Sequence, residues 1–317
     1  MDIASINDMV AASVRIATPV TLAALGGVFC QKAGIFNIGL EGMMLIGSFA
    51  VICGEIAFGG SIVAGLAFAA LAGMLMSLLF ALAVLKLEAN KIITGIGINL
   101  LSVGLTSFLL RAIYHTQGTL RADVMGKLPN IEIPIIQNIP ILGGIFGEQN
   151  LLTYFAFVIV ILTALLLYKT PFGVAACAIG ELPECVESGG IKPNKVALFA
   201  ILWSGMLCGI AGTYLSTVSV SGFTEDMVQG RGFTAFSALI FGNGNPFITW
   251  AVSILFGFAD ALGIRVELNS SAFPSSIIKM FPYILSIIAL ASSCYMREVS
   301  RKKRHGESHN ESNTRTN

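Results

Sequence analysis

Long apolar runs, broken by short polar interruptions, recur along the chain as far as about residue 296. A helix needs about 20 mostly apolar residues to cross ~30 Å of hydrocarbon. On that criterion the candidate spans are 9–29, 40–58, 62–85, 92–114, 151–168, 196–218, 233–248, 249–264 and 276–296. The clearest is Ile62 to Leu85, which carries no charge. The last pair but one is divided by Gly242-Asn243-Gly244-Asn245-Pro246, read either as a tight turn between two short spans or as a break in one re-entrant element. The fold class expected is an all-α, polytopic transmembrane bundle of 8–10 spans.

Finer patterns sit on these runs. Small residues recur at every fourth position in the third span (Gly65, Ala69, Gly73, Ser77, Ala81) and in the sixth (Gly205, Gly209, Thr213). Such ridges let helix backbones approach closely in lipid, where dispersion drives packing. A Gly-rich span, a loop and a Gly-led span occur at 22–49 and again at 205–240, running in opposite directions, as in an inverted repeat. The 115–150 segment, with Pro129, Pro134 and Pro140, is too polar for a span and too apolar for a flexible linker. It is expected to pack on the outer face, as a structured loop or as a docking surface.

Composition agrees with a membrane domain. Of 317 residues, 55% are hydrophobic and 12% charged, against about 25% charged in soluble domains. The mean hydropathy is +0.81. Six Lys or Arg against three Glu make 297–317 a basic tail, expected to be cytoplasmic and disordered, while 1–296 forms one transmembrane domain. Counting back through the spans puts Lys32, the 86–91 loop and the 169–195 loop on the cytoplasmic side, and the N-terminus outside. That terminus lacks the basic n-region of a cleaved signal peptide. No basic field suits nucleic acid. Cys30, Cys53, Cys177, Cys185, Cys208 and Cys294 include no C-x-x-C pair and read as small buried hydrophobes.

Chemistry of the usual kinds is missing. There is no G-x-x-x-x-G-K-[ST] loop to cradle phosphates and no H-E-x-x-H. His115, His305 and His309 are the only histidines, so neither a metal nor another cofactor is expected, and no catalytic residue is assigned. Three segments remain. In Asn37-Ile38-Gly39-Leu40-Glu41-Gly42-Met43-Met44, Asn37 and Glu41 are four apart and expected on one helix face. A carboxylate there is costly unless it meets water, a partner or a helix N-terminus. It either caps its own helix or lies on a gate or pathway. In Gly180-Glu181-Leu182-Pro183-Glu184-Cys185-Val186-Glu187-Ser188-Gly189-Gly190-Ile191-Lys192, Pro183 starts a short helix at N1 and Gly189-Gly190 ends it. That suits either a plain connector or a lever that another subunit grips. In Gln229-Gly230-Arg231-Gly232-Phe233, glycines free the backbone around Arg231 just before an apolar run.

Together, in this order, the three segments resemble the permease subunits of ATP-binding-cassette importers, in the branch serving branched-chain amino acids, ribose-type sugars and nucleosides. The resemblance covers about residues 10–296. It is nearest the nucleoside and simple-sugar group, in the shorter of two paired permeases. It implies that 180–192 (Gly180, Glu181, Pro183, Glu187, Ser188, Gly189, Gly190, Ile191 and Lys192) is a coupling helix seated in a groove on the ATPase. The sequence departs from that pattern at Ala176-Cys177-Ala178-Ile179, where a basic residue usually precedes the glycine, and at Leu182, which replaces Asn before Pro183. The resemblance also implies a second permease subunit, a cytoplasmic ATP-binding subunit and an extracytoplasmic solute-binding lipoprotein, in a bacterial plasma membrane.

The expectation is therefore a non-enzymatic permease that carries nucleosides, with ATP hydrolysis on a partner chain. Asn37, Glu41, Asn99, Arg231, Phe233 and Phe236 are the candidate pathway residues, supplying polar contacts for ribose and an apolar wall for the base. A ribose- or galactose-type sugar is the alternative solute. A secondary transporter is the alternative of another class; it would need a buried ionisable pair, which Arg15, Arg111 and Asp260 do not evidently form.

Overall fold

The computed structural model describes residues 3–121, 126, 128–132 and 147–269. Met1–Leu262 make one compact unit, which holds all the elements discussed below except the end of the last helix. The expected span at 276–296 and the tail at 297–317 lie outside the described residues.

The elements are almost all helices: α1 (Ile3–Lys32), α2 (Leu40–Ala57), α3 (Ile62–Ala81), α4 (Lys91–Tyr114), α5 (Leu151–Lys169), α6 (Pro171–Glu181), α7 (Pro183–Ser188), α8 (Pro193–Tyr214), α9 (Arg231–Gly242) and α10 (Pro246–Asn269). A π-helical turn extends α3 over Leu82–Lys86 and another extends α8 over Leu215–Val220. Two short antiparallel ladders join β1 (Thr119–Leu120) to β4 (Phe223–Thr224) and β2 (Asn130–Glu132) to β3 (Glu148–Asn150). Seven of the described helices are long and apolar enough to cross a membrane.

The expected run 233–248 is not a span of its own. It falls on α9, whose 12 residues reach only about 18 Å, and on the turn that follows. Asn243 adopts φ +50° and Gly244 φ +67° there. Asn245 Oδ1 then accepts from the Phe247 and Ile248 N–H groups (3.0 and 3.4 Å), so this amide starts α10. Hydropathy reads α9 as a span because its residues are apolar; it falls short only in length.

The ends of the helices fall on two faces. Lys91 Nζ donates to the Gly34 carbonyl at 2.8 Å, and Gly180 packs on the backbone of Lys32 and Gly34. The 32–34, 86–91 and 169–192 segments therefore share one face, the lysine face. The β1–β4 ladder sets 115–120 beside 221–224 at the opposite face.

The core is the contact of α2, α3 and α8. The two small-residue ridges meet each other. A Cβ on Gly209 would run into the Ala69 carbonyl, and one on Gly73 or Gly205 would strike the other's carbonyl. Ser48 Oγ donates to Gly212 O (3.0 Å) and Ser216 Oγ to Ser48 O (2.7 Å), tying α2 to α8. By contrast, a Cβ on Gly97 or Gly104 of α4 would find nothing within 4 Å. Gly209→Ala should cost about 1–3 kcal/mol by overpacking, while Gly97→Ala should leave stability unchanged or raise it by roughly 0.5–1 kcal/mol. Thermal unfolding of the detergent-solubilised protein reads both, and equal effects would contradict this packing.

Candidate functional site

The segment between α1 and α2 turns inward rather than skirting the surface. Asn37 is 1% exposed. Its Nδ2 donates to Ser204 Oγ (3.2 Å), and its Oδ1 accepts from the Gly39 N–H (3.0 Å). Ser204 is the twelfth residue of α8, about 17 Å along that helix. The start of α2 therefore lies inside the bundle, and irregular backbone at that depth is tolerable only against protein or a wet cavity. Asn37 precedes the helix, so it does not share a helix face with Glu41 as expected.

Helix α2 has no side-chain cap of its own. Asn99 on α4 supplies one: its Oδ1 accepts from the Gly42 N–H at 2.8 Å, and its Nδ2 donates to the Ile38 carbonyl at 3.2 Å. Glu41 in turn serves α9. The Gly230 N–H donates to Glu41 Oε1 (2.7 Å) and the Gly232 N–H to Oε2 (2.6 Å). Glu41 therefore caps a helix almost 190 positions away, not its own. Its carboxyl group also sits in the first turn of α2, so both helix dipoles favour its ionised form. The chain needs glycine here. Gly230 has φ +84°, and a Cβ on Gly232 would collide with the Glu41 backbone and approach Oε2 to 2.7 Å.

The two segments singled out in the sequence around Glu41 and Arg231 thus form one joint. Arg231 Nη1 donates to the Met227 carbonyl (3.3 Å), and the guanidinium lies within electrostatic reach of Asp260 on α10. Phe233 is 45% exposed and Phe236 half-buried on the outer side of α9.

Above this joint is a recess of about 190 Å³ between α1, α8 and α9. Arg15 and Arg231 line it, with Ile16, Pro19, Leu215 and Val218 as apolar wall. Of the six pathway candidates, only Arg231 borders this recess. In the sequence Arg15 stands out only as an ionisable residue near a span. Its role at the recess depends on α8 and α9 folding back beside α1, which no local spacing announces.

At the lysine face, α7 starts at Pro183 and ends at Ser188, and Gly190 takes φ +80°. Glu181, Glu184, Glu187 and Ile191 are exposed, and Leu182 is 61% exposed. The sequence does not reveal α6, an 11-residue apolar helix capped by Thr170, whose Oγ1 accepts from the Gly173 N–H. It carries Gly180 to the end of α1. Lys32 there also lies against Gly244 of the α9–α10 turn, within 2.7 Å of the place a Cβ would take.

Comparison with known proteins matches residues 9–290 to the family described as branched-chain amino acid transport system permease component. The chain is similar to the guanosine ABC transporter permease protein NupQ of Bacillus subtilis, at 35% identity over 92% of this chain and 93% of that one. It is similar to the nucleoside ABC transporter permease protein NupC of Lactococcus lactis, at 34% identity over 86% and 88%. A putative glucose ABC transporter permease protein, TsgC13 of Haloferax volcanii, is 30% identical over 82% and 78%. No solved structure is significantly similar.

Glu41→Ala and Gly232→Ala should each cost about 3 kcal/mol, as expected for charge-assisted hydrogen bonds at a buried helix end. Because both break one joint, the double variant should cost little more than either alone. Full additivity in thermal unfolding would show that the residues act separately.

Proposed function

The chain belongs to the family of branched-chain amino acid transport system permease components, and on that premise we propose that it carries nucleosides inward as the membrane subunit of an ATP-binding-cassette importer. The observation that carries this reading is the near end-to-end similarity to two nucleoside permeases. The chain itself performs no covalent chemistry; a separate ATPase supplies the energy. A second permease subunit and an extracytoplasmic solute-binding lipoprotein complete the assembly in a bacterial plasma membrane. The clustering of Lys32, Lys86, Lys91, Lys169, Lys192 and Lys195 at one face supports placing that face in the cytoplasm.

On this reading α7 is the part the ATPase grips. Its exposed Glu184 and Glu187, flanked by exposed Leu182 and Ile191, offer a mixed apolar and acidic surface to a groove. A push on α7 reaches Gly180, then Lys32 and Gly34 at the end of α1, then Gly244 and α9. The far end of α9 is the Glu41 joint. Rigid-body tilting of α9 would alternate access to the recess.

A sugar is the second reading, supported by the similarity to the putative glucose permease. Uptake of labelled guanosine, adenosine, uridine and ribose in cells with and without this chain decides between them. Loss of ATP-dependent nucleoside uptake in the deletion is expected; selective loss of ribose uptake would move the chain to the sugar branch. For the coupling role, Leu182→Asp should abolish uptake while the assembled transporter still hydrolyses ATP. Unimpaired uptake by that variant would remove α7 from the coupling interface.

A further inference from the structure

Most of the polar residues that the sequence offers as solute ligands are engaged elsewhere. Asn37, Glu41 and Asn99 each hold backbone amides or a neighbouring side chain. The recess between α1, α8 and α9 is different. Two guanidinium groups from separate helices line it. Each guanidinium has five N–H donors. One hydrogen bond occupies each among those the structure gives: Arg231 to Met227 O, and Arg15 Nη2 to Glu148 O at 3.2 Å. Most of the donor capacity is left for a ligand.

The surroundings narrow the ligand class. Pro19, Leu215 and Val218 give the recess apolar walls, which suit a flat ring. Asp260 offsets part of the charge on Arg231, so a neutral ligand with acceptor atoms fits better than an anion. A guanidinium fork is matched by two acceptors side by side. The O6 and N7 atoms of a guanine base present that pair, whereas the corresponding edge of adenine, uracil or cytosine presents one acceptor or none.

We propose that this recess is the base-binding subsite of the translocation route, where Arg231, with Arg15 on the adjoining helix, reads the O6/N7 edge of a 6-oxopurine such as guanine. The subsite rests on the nucleoside reading. It makes the chain itself selective, independently of the lipoprotein that delivers the solute.

The test uses the complete transporter with its partners unchanged, so that any change in preference between variants belongs to this chain. Uptake of guanosine is compared with that of 7-deazaguanosine, in which a C–H replaces N7. In Arg231→Gln the preference for guanosine should shrink by roughly fivefold or more, and Arg231→Lys should shrink it equally, because a point charge cannot replace the fork. Restoration by Lys would overturn the two-acceptor readout. An unchanged preference in both variants would overturn the subsite while leaving nucleoside transport standing. If Arg231 variants fail to reach the membrane, Arg15→Gln carries the same comparison, with the same narrowing expected and an unchanged preference overturning the subsite. Lack of ATP-dependent nucleoside uptake by the unaltered transporter would overturn both the subsite and the reading beneath it.

Discussion

Two of the described helices begin against other helices of the bundle, where side chains from elsewhere in the chain satisfy their first amide groups. An uncapped helix start at such depth leaves several donors unpaired, each at a cost of order 1–3 kcal/mol. The protein meets that constraint with side chains from elsewhere. Asn99 on α4 caps α2, and Glu41 on α2 caps α9. The inward position of the 33–39 segment, the glycines at 230 and 232 and the placing of the recess all depend on these caps. The same arrangement explains how a carboxylate is tolerated there. It sits where two helix dipoles point their positive ends, and two amides solvate it in place of water.

The spans are legible in the sequence because length and apolarity are the only requirements lipid places on them. The boundaries of α2, α3, α4, α5 and α8 lie close to those expected. The ridges on α3 and α8 are legible too, as small residues at every fourth position, though their mutual contact is not. What stays hidden are elements whose character comes from tertiary neighbours. Helix α9 is apolar like a span but half the length, and α6 is apolar like a span but lies along the lysine face.

The same reason separates the candidate residues. Spacing places Asn37 and Glu41 on one helix face, yet Asn37 forms the turn before that helix. Glu41 and Gly232 both stand out, in separate segments, and only the fold shows that one holds the other. The recess draws on helices some 200 positions apart, so no window of sequence contains it. Local chemistry identifies which residues are unusual; it cannot say which are already bonded to one another.

Helix α9 has left-handed backbone at both ends, Gly230 before it and Asn243-Gly244 after it. It is therefore a stiff rod of about 18 Å mounted between two swivels. Such a rod transmits displacement without absorbing it as bending. If the Gly244 swivel moves while the Glu41 pin holds, the helix sweeps an arc about the pin. Arg231 lies next to that pivot and would turn almost in place, whereas Leu239 and Phe241 near the free end would travel farthest. The geometry thus pairs large movement at the lysine face with fine reorientation at the recess, as a reduction gear does.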